Sequence, residues 1–357
     1  MKRRPSLFAA FGSVVAAAGF VFACSGGSFD PSSKLTSVRV LATRADKPFA
    51  KPGDTVQIDA LTVDGRETPG APMHVYWLPL VCNNPRADLY YACFASLLGG
   101  GLAAPDGGVP DAGPDGGALP KLPSSISEPI DITAFLQEGP SYSVALPPDL
   151  VSSHPVVDGA PAPYGLSISF FVACAGRVFL LPPDKTNVSG QTLPVGCGPD
   201  KDNLLGASDF VFAFTRVYAY DALTNENPVV DGVLLDGKPV DLTQGVVLPR
   251  CASDNEADCE HALEVHVPDA SWELNPTDKG SDGSVRHEQL YASYFYTTRT
   301  TKTKSTGRIV FDPVRGRVDD SANRLIPGHD ADSGRVWIVV HDNRDGVAWV
   351  SFPVFVK

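Results

Sequence analysis

The sequence predicts an all-β chain: two tandem antiparallel β-sandwiches behind an exported leader. Three observations predict it. From residue 38 onward, segment after segment alternates apolar and polar residues with a period of two, and none shows convincing helical periodicity. With 33 Gly and 32 Pro in 357 residues, turn signals cut the chain into short segments, as strands joined by tight turns require. Seven cysteines include no Cys-x-x-Cys pair and no cluster with histidines at zinc spacing, which favours cross-links over a metal site.

The first element is the leader. Lys2, Arg3 and Arg4 precede an uncharged run from Leu7 to Ala23, then Cys24 and the small residues Ser25-Gly26-Gly27-Ser28. Basic, apolar, small: this is the order of an export signal, so residues 1–23 are expected to be removed. Val21 and Ala23 ahead of Cys24 resemble the lipobox of bacterial lipoproteins. That resemblance implies lipidation of Cys24 as the new N-terminus, a stable membrane anchor and, with Ser25 rather than Asp next in line, delivery to the outer membrane. An uncleaved helix at the short edge of a bilayer span, or an ordinary signal cut elsewhere, are the competing readings. The residues after Arg3-Arg4 match the twin-arginine pattern poorly.

Charge and cysteine arithmetic bear on the same point. The net charge is −12, and loss of a leader with three cations makes the remainder more acidic still. Such a chain repels nucleic acid, so that partner is not expected. In an oxidising compartment an odd cysteine is awkward. Assigning Cys24 to lipid leaves Cys82, Cys93, Cys174, Cys197, Cys251 and Cys259. Six cysteines permit fifteen pairings; the nearest-neighbour set, Cys82–Cys93, Cys174–Cys197 and Cys251–Cys259, is the expected one.

Residues 24–34 read as a tether. A first sandwich is then expected over 35–198. Val38, Val40 and Ala42 alternate with Arg39, Leu41 and Thr43. Lys51-Pro52-Gly53-Asp54 has Pro and Gly where a type II turn needs them. Val56, Ile58 and Ala60 then face one way, and Val75-Tyr76-Trp77-Leu78 forms a strand with a central Trp. This succession resembles the front half of an immunoglobulin-like sandwich, without the Cys…Trp…Cys spacing of antibody domains. Residues 99–120 are low-complexity Pro-Asp-Gly repeats with nothing to bury, expected as a disordered insertion. Strands resume at Tyr142–Leu146, Leu166–Cys174 and Arg177–Leu181.

Gly196-Cys197-Gly198-Pro199-Asp200-Lys201-Asp202 reads as the domain boundary, with a second Ig-like sandwich over 205–357 beginning at the aromatic strand Phe210–Tyr220. Leu263, Val265 and Val267 face inward. The chain closes on a hairpin, Arg335–Val340 and Val347–Val356, around Asp342-Asn343-Arg344-Asp345-Gly346, with Gly346 expected to supply a positive φ.

Catalytic motifs are missing from the sequence: there is no G-x-S-x-G elbow, phosphate loop or H-E-x-x-H. His261 and His266, beside Glu260 and Glu264, fall on opposite strand faces and read as solvated. His329-Asp330-Ala331-Asp332-Ser333-Gly334 and Asp278–Ser284 are fragments of a calcium loop without its distal Glu, so no metal or cofactor is expected. Trp272, Tyr291, Tyr294, Phe295, Tyr296, Trp337 and Trp349 are core residues or, if exposed, a sugar-stacking surface. Arg299, Lys302, Lys304 and Arg308 read as a charged strand edge. The expected function is non-enzymatic: a lipid-anchored envelope protein with a binding or structural role, a glycan or protein being the candidate ligand. A carbohydrate-binding module and an envelope hydrolase are the alternatives.

Overall fold

The computed structural model describes residues 32–95, 127–182, 195–298, 301, 303, 306–312, 316–319 and 323–357. Cys24, the leader 1–23, most of the tether, the 99–120 insertion and the cations Arg299, Lys302 and Lys304 lie outside the described residues.

The first half of the chain supplies β1 (Val38–Ala45), β2 (Phe49–Ala50), β3 (Thr55–Asp64), β4 (His74–Asn83), β5 (Ile130–Asp131), β6 (Gln137–Glu138), β7 (Ser141–Ala145), β8 (Gly165–Cys174), β9 (Arg177–Leu180), β10 (Val195–Gly198) and β11 (Phe210–Ala219). One sheet runs β1-β3-β7 and faces a second of order β2-β11-β8-β4-β6. In immunoglobulin lettering these are A-B-E against G-F-C-C′, with β2 parallel to β11 at the edge. The strand order is Ig-like. Local chemistry sets the entry: Gly53 takes φ +82 and Asp54 N donates to Lys51 O at 3.0 Å, the type II turn that Pro52-Gly53 favours.

Between the two sheets lie Val56, Ile58, Ala60, Val144, Phe171 and Val217 around Trp77. Trp77 is fully buried, 4.5 Å from Phe171 and 5.2 Å from Tyr142 between ring centroids. Its indole N–H donates to Gly139 O at 3.0 Å, the partner a buried Trp needs.

The other face of the same sheet is also apolar, and it is roofed. Every residue of β8 is buried; Leu166, Ile168, Phe170 and Val172 pack away from Trp77 against Cys93, Ile132, Val178, Leu180 and Val195. Those covering residues come from two excursions, one between β4 and β6 and one between β8 and β11. A disulfide pins each: Cys82–Cys93 ties the first to β4, and Cys174–Cys197 ties the second to β8. The first sandwich is therefore three layers deep.

The second half supplies β12 (Gly232–Leu235), β13 (Lys238–Pro239), β14 (Val246–Leu248), β15 (His261–His266), β16 (Leu274–Lys279), β17 (Val285–His287), β18 (Leu290–Tyr296), β19 (Thr306–Asp312), β20 (Gly316–Asp319), β21 (Asn323–Leu325), β22 (Asp332–His341) and β23 (Val347–Val356). The sheets run β13-β12-β15-β21 and β14-β23-β22-β18-β19-β20. This is A-B-E against G-F-C-C′-C″, again with a parallel edge strand, β14, on the last strand. Leu263, Val265, Leu290, Tyr294, Val336, Ile338 and Phe352 fill the space between them. Cys251–Cys259 closes the loop between β14 and β15. Residues Ser33–Lys357 make one compact unit, and among the described residues no helix is long and apolar enough to cross a membrane.

Three sequence expectations need correction. First, Phe210–Ala219 does not open the second sandwich: it pairs with β8 along all ten residues, from Phe210↔Cys174 to Ala219↔Gly165. The crossover between sandwiches lies at residues 220–231, and Gly196–Gly198 belongs to the roof, where Cys197 is bonded to Cys174. Second, the tether does not extend to residue 34. Tyr296 N donates to Ser33 O at 2.9 Å and Leu35 N to Tyr296 O at 2.8 Å, so residues 33–35 pair with the end of β18. Third, the positive φ of the last hairpin is at Asp345, +69. Gly346 is required for space: a Cβ there would sit 2.0 Å from Asp342 Oδ2 and 2.9 Å from Glu226 O.

Candidate functional site

The outward face of β18, β22 and β23 carries Phe295, Val339, Val347 and Trp349, which pack on Leu41, Ala42 and Leu61 of the first sandwich. Beside this contact the 342–346 turn meets the crossover segment. Asn225 is buried and its amide donates to Asp342 Oδ2 at 2.9 Å and Arg344 O at 2.8 Å. Asn227 donates to Ala45 O at 2.7 Å and accepts from Val347 N at 2.9 Å, bridging β1 and β23. Asp342 Oδ1 accepts from Arg344 N and Gly346 N, at 2.6 and 2.7 Å, which holds the turn shut.

Arg344 is the centre of this joint. Its guanidinium donates to Thr224 O, lies 5.2 Å above the Phe49 ring and stands 3.5 Å from both Glu273 and Glu288. Burial, with Asp342 close by, pushes Glu288 up to about 8, and the single cation of Arg344 does not offset it. Glu288 is therefore mostly protonated at neutral pH.

Next to the joint the two sandwiches enclose a cleft of about 470 Å³ lined by Phe214, Arg216, Tyr291, His341, Asn343 and Asp345, among others. Tyr291 and His341 are cross-strand partners, stacked at 5.0 Å with 19° between planes. Tyr291 is 43% exposed. Burial lowers the His341 pKa, against the opposing pull of Asp342, so the ring is neutral at pH 7. Asp345 has solvent at its surface but is ringed by protein. That loss of solvation, with Asp342 near, raises its pKa, while Arg216 opposes the shift. Arg216 is exposed and lies 5.3 Å over the Phe214 ring. Thr43 and Thr215 share a hydroxyl hydrogen bond of 2.8 Å on the first-sandwich wall.

The residues singled out from sequence are scattered by comparison. His261 pairs with Asp236 at 2.7 Å and His266 with Asp231 at 2.5 Å, each across to a neighbouring loop, so they do not converge. Asp282 is occupied by Ser284, His329 by Cys251 O and Asp332 by Ser333 N. Among the described residues no three His, Cys, Asp or Glu side chains are grouped to hold a metal. Trp272, Tyr294 and Tyr296 are core. Trp349 is covered by the Arg44 guanidinium at 4.5 Å. Of the aromatic set, Tyr291 alone lines the cleft. Arg216, His341, Asn343 and Asp345 carried no signal in sequence, since they reach the cleft from strands and a turn far apart in the chain.

No protein-family model and no curated protein matches the chain. Among solved structures it is similar to three N-terminal domains of the bacteriophage RB49 highly immunogenic outer capsid protein, at 10% identity, over 90% of this chain and 59% of that one, with TM-score 0.19. It is also similar to the D00–D0 domain of intimin (8% identity, 90% and 98% covered, TM-score 0.19). The tandem Ig repeats of Dlar match at 9% identity, 90% and 98% covered, TM-score 0.20. Likeness at that level adds nothing to the strand order already described.

Proposed function

We propose that this chain is a non-enzymatic envelope lipoprotein, exported, anchored through acylated Cys24 and probing its surroundings with two rigidly joined Ig-like sandwiches. The observation that carries the reading is the cysteine account. Cys82, Cys93, Cys174, Cys197, Cys251 and Cys259 are bonded to one another in three disulfides, which belong to an oxidising compartment. No cysteine remains in the chain to pair with Cys24. A lone cysteine directly after a basic-then-apolar leader has a purpose if it takes lipid.

The role is binding or scaffolding, with the inter-sandwich cleft as the presented site. Outer-membrane delivery is part of the same proposal and rests on Ser25 after Cys24. Intact-mass analysis of the protein from its native host tests it. The expected species begins at residue 24, carries acyl chains on Cys24 and holds six oxidised cysteines. A leader still attached, or an unmodified Cys24 thiol, overturns the anchor.

A further inference from the structure

The cleft between the sandwiches presents groups of three kinds. One is an aromatic surface, Tyr291, 43% exposed and stacked on the ring of its cross-strand neighbour His341 at 5.0 Å. A second is a donor-only group, Arg216, which also hydrogen-bonds Tyr218, and the third a carboxylate acceptor, Asp345; Asn343, whose Oδ1 accepts from Gln289 N at 2.9 Å, adds its amide donors. We propose that this cleft binds a neutral pyranose ring, stacked on Tyr291 and hydrogen-bonded through its hydroxyls to Asp345 and Arg216.

Elimination by chemistry leads to that class. An apolar ligand would strip water from Arg216 and Asp345 and give them no partner, which is unfavourable. An anion faces Asp345 with Asp342 behind it, and a cation faces Arg216. A hydroxyl both donates and accepts, so neighbouring hydroxyls satisfy a carboxylate and a guanidinium together. The C–H face of a sugar ring is the apolar surface that an electron-rich phenol ring receives. A volume of about 470 Å³ lies within the range of small-ligand sites and suits one or two rings. The joint formed by Asn225, Asn227 and Arg344 fixes the two walls before a ligand arrives, which reduces the ordering entropy that binding must overcome. Sugar recognition rests on the binding reading above for its biological sense, and not on the anchor.

The test uses the full chain in detergent. Titration calorimetry is run with free glucose, galactose, mannose and N-acetylglucosamine, and an array carries their oligosaccharides. At least one sugar is expected to bind with Kd of about 10 μM to 1 mM. Tyr291→Ala is expected to weaken it at least tenfold, Tyr291→Phe to stay within about threefold, and Asp345→Asn, which tolerates the left-handed turn, to lose about tenfold. Signal from free monosaccharides as well as polymers assigns recognition to the single ring; signal from polymers alone assigns it to a chain end or a longer run. Absence of binding by every sugar at millimolar concentration overturns the proposal, as does equal binding by wild type and a folded Tyr291→Ala protein. If Cys24 is acylated and no sugar binds, the envelope reading survives and this one does not. If sugar binds to a chain whose Cys24 is unmodified, the sugar site stands and the anchor falls.

Discussion

In the first sandwich the outward face of β11, β8 and β4 carries Phe170, Val172 and Phe212 and is roofed by two disulfide-pinned excursions of the same chain. In the second, the matching face of β23, β22 and β18 carries Phe295, Val339, Val347 and Trp349, and its cover is the first sandwich itself. The strand order is shared and the solution differs. An apolar outer face needs a cover, and whether that cover is local or a neighbouring sandwich decides where a cleft can form. The local roof packs directly on its face and buries Phe170 and Val172 completely. The inter-sandwich cover is smaller than the face it meets, so Tyr291 and His341 remain at its margin and line the cleft.

Removing a roof pin should have the largest effect. The Cys174–Cys197 loop spans 23 residues and Cys251–Cys259 spans 8. By chain entropy, Cys174→Ala with Cys197→Ala costs about 3 kcal/mol. Opening the roof also exposes the Phe170 face. Urea unfolding should show that loss together with new binding of a hydrophobic dye. The Cys251→Ala, Cys259→Ala pair should lose about 2 kcal/mol without dye binding. Equal dye binding by both would erase the distinction between roof and loop.

Arg344→Ala comes next. It removes a buried cation from Thr224 O, Phe49 and the carboxyl groups of Glu273 and Glu288 and should cost about 2 kcal/mol. Scattering should show a wider spread of sandwich orientations, while the first-sandwich roof stays protected from hydrogen exchange. An unchanged scattering profile would mean that the apolar contact alone fixes the joint.

Glu288 gives the joint a pH signature. Its folded pKa of about 8 stands above the ordinary 4.5. The folded state therefore binds its proton more tightly, and this contribution to stability is complete below pH about 4.5 and lost as pH rises through about 8. Glu288→Gln should flatten that decline, by up to a few kcal/mol at the alkaline end. Asp345, also raised by burial, leaves a residual slope of the same sign. The lowered carboxyls, such as Asp64 beside Arg66, act in the other direction and only in more acidic solution. A melting temperature of wild type that climbs from pH 5 to 9 would contradict the assignment.

The smallest effects belong to the exposed pairs. His261→Gln and His266→Gln break ion pairs with Asp236 and Asp231 and should each change stability by less than about 1 kcal/mol. A larger loss, or a metal-dependent rise in melting temperature that either variant abolishes, would restore a role for those histidines.

Much of the fold was legible because strands write themselves locally. Val56, Ile58 and Ala60 alternate with polar neighbours, and all three are buried; the hairpin of β22 and β23 pairs from Asp332↔Val356 to His341↔Val347. Partner choice across long gaps was not legible. Phe210–Ala219 returns to β8 past an excursion of 35 residues, and chain order alone suggested a new domain. One signal did point the other way. Gly-Leu-Ser-Ile-Ser-Phe-Phe-Val-Ala-Cys over 165–174 is almost uninterrupted by polar groups, the mark of a strand covered on both faces, and a strand so covered needs partners and a roof. The cleft was less legible still, because Arg216, Tyr291, Asn343 and Asp345 meet only once both sandwiches have formed and docked.

Calorimetric unfolding of the full chain tests the docking most directly. With Arg344, Asn225 and Asn227 locking the crossover to both sandwiches, residues 33–357 should melt in one cooperative transition that separates into two in Arg344→Ala. Two independent transitions in the wild-type protein would contradict the rigid joint and the preformed cleft that depends on it.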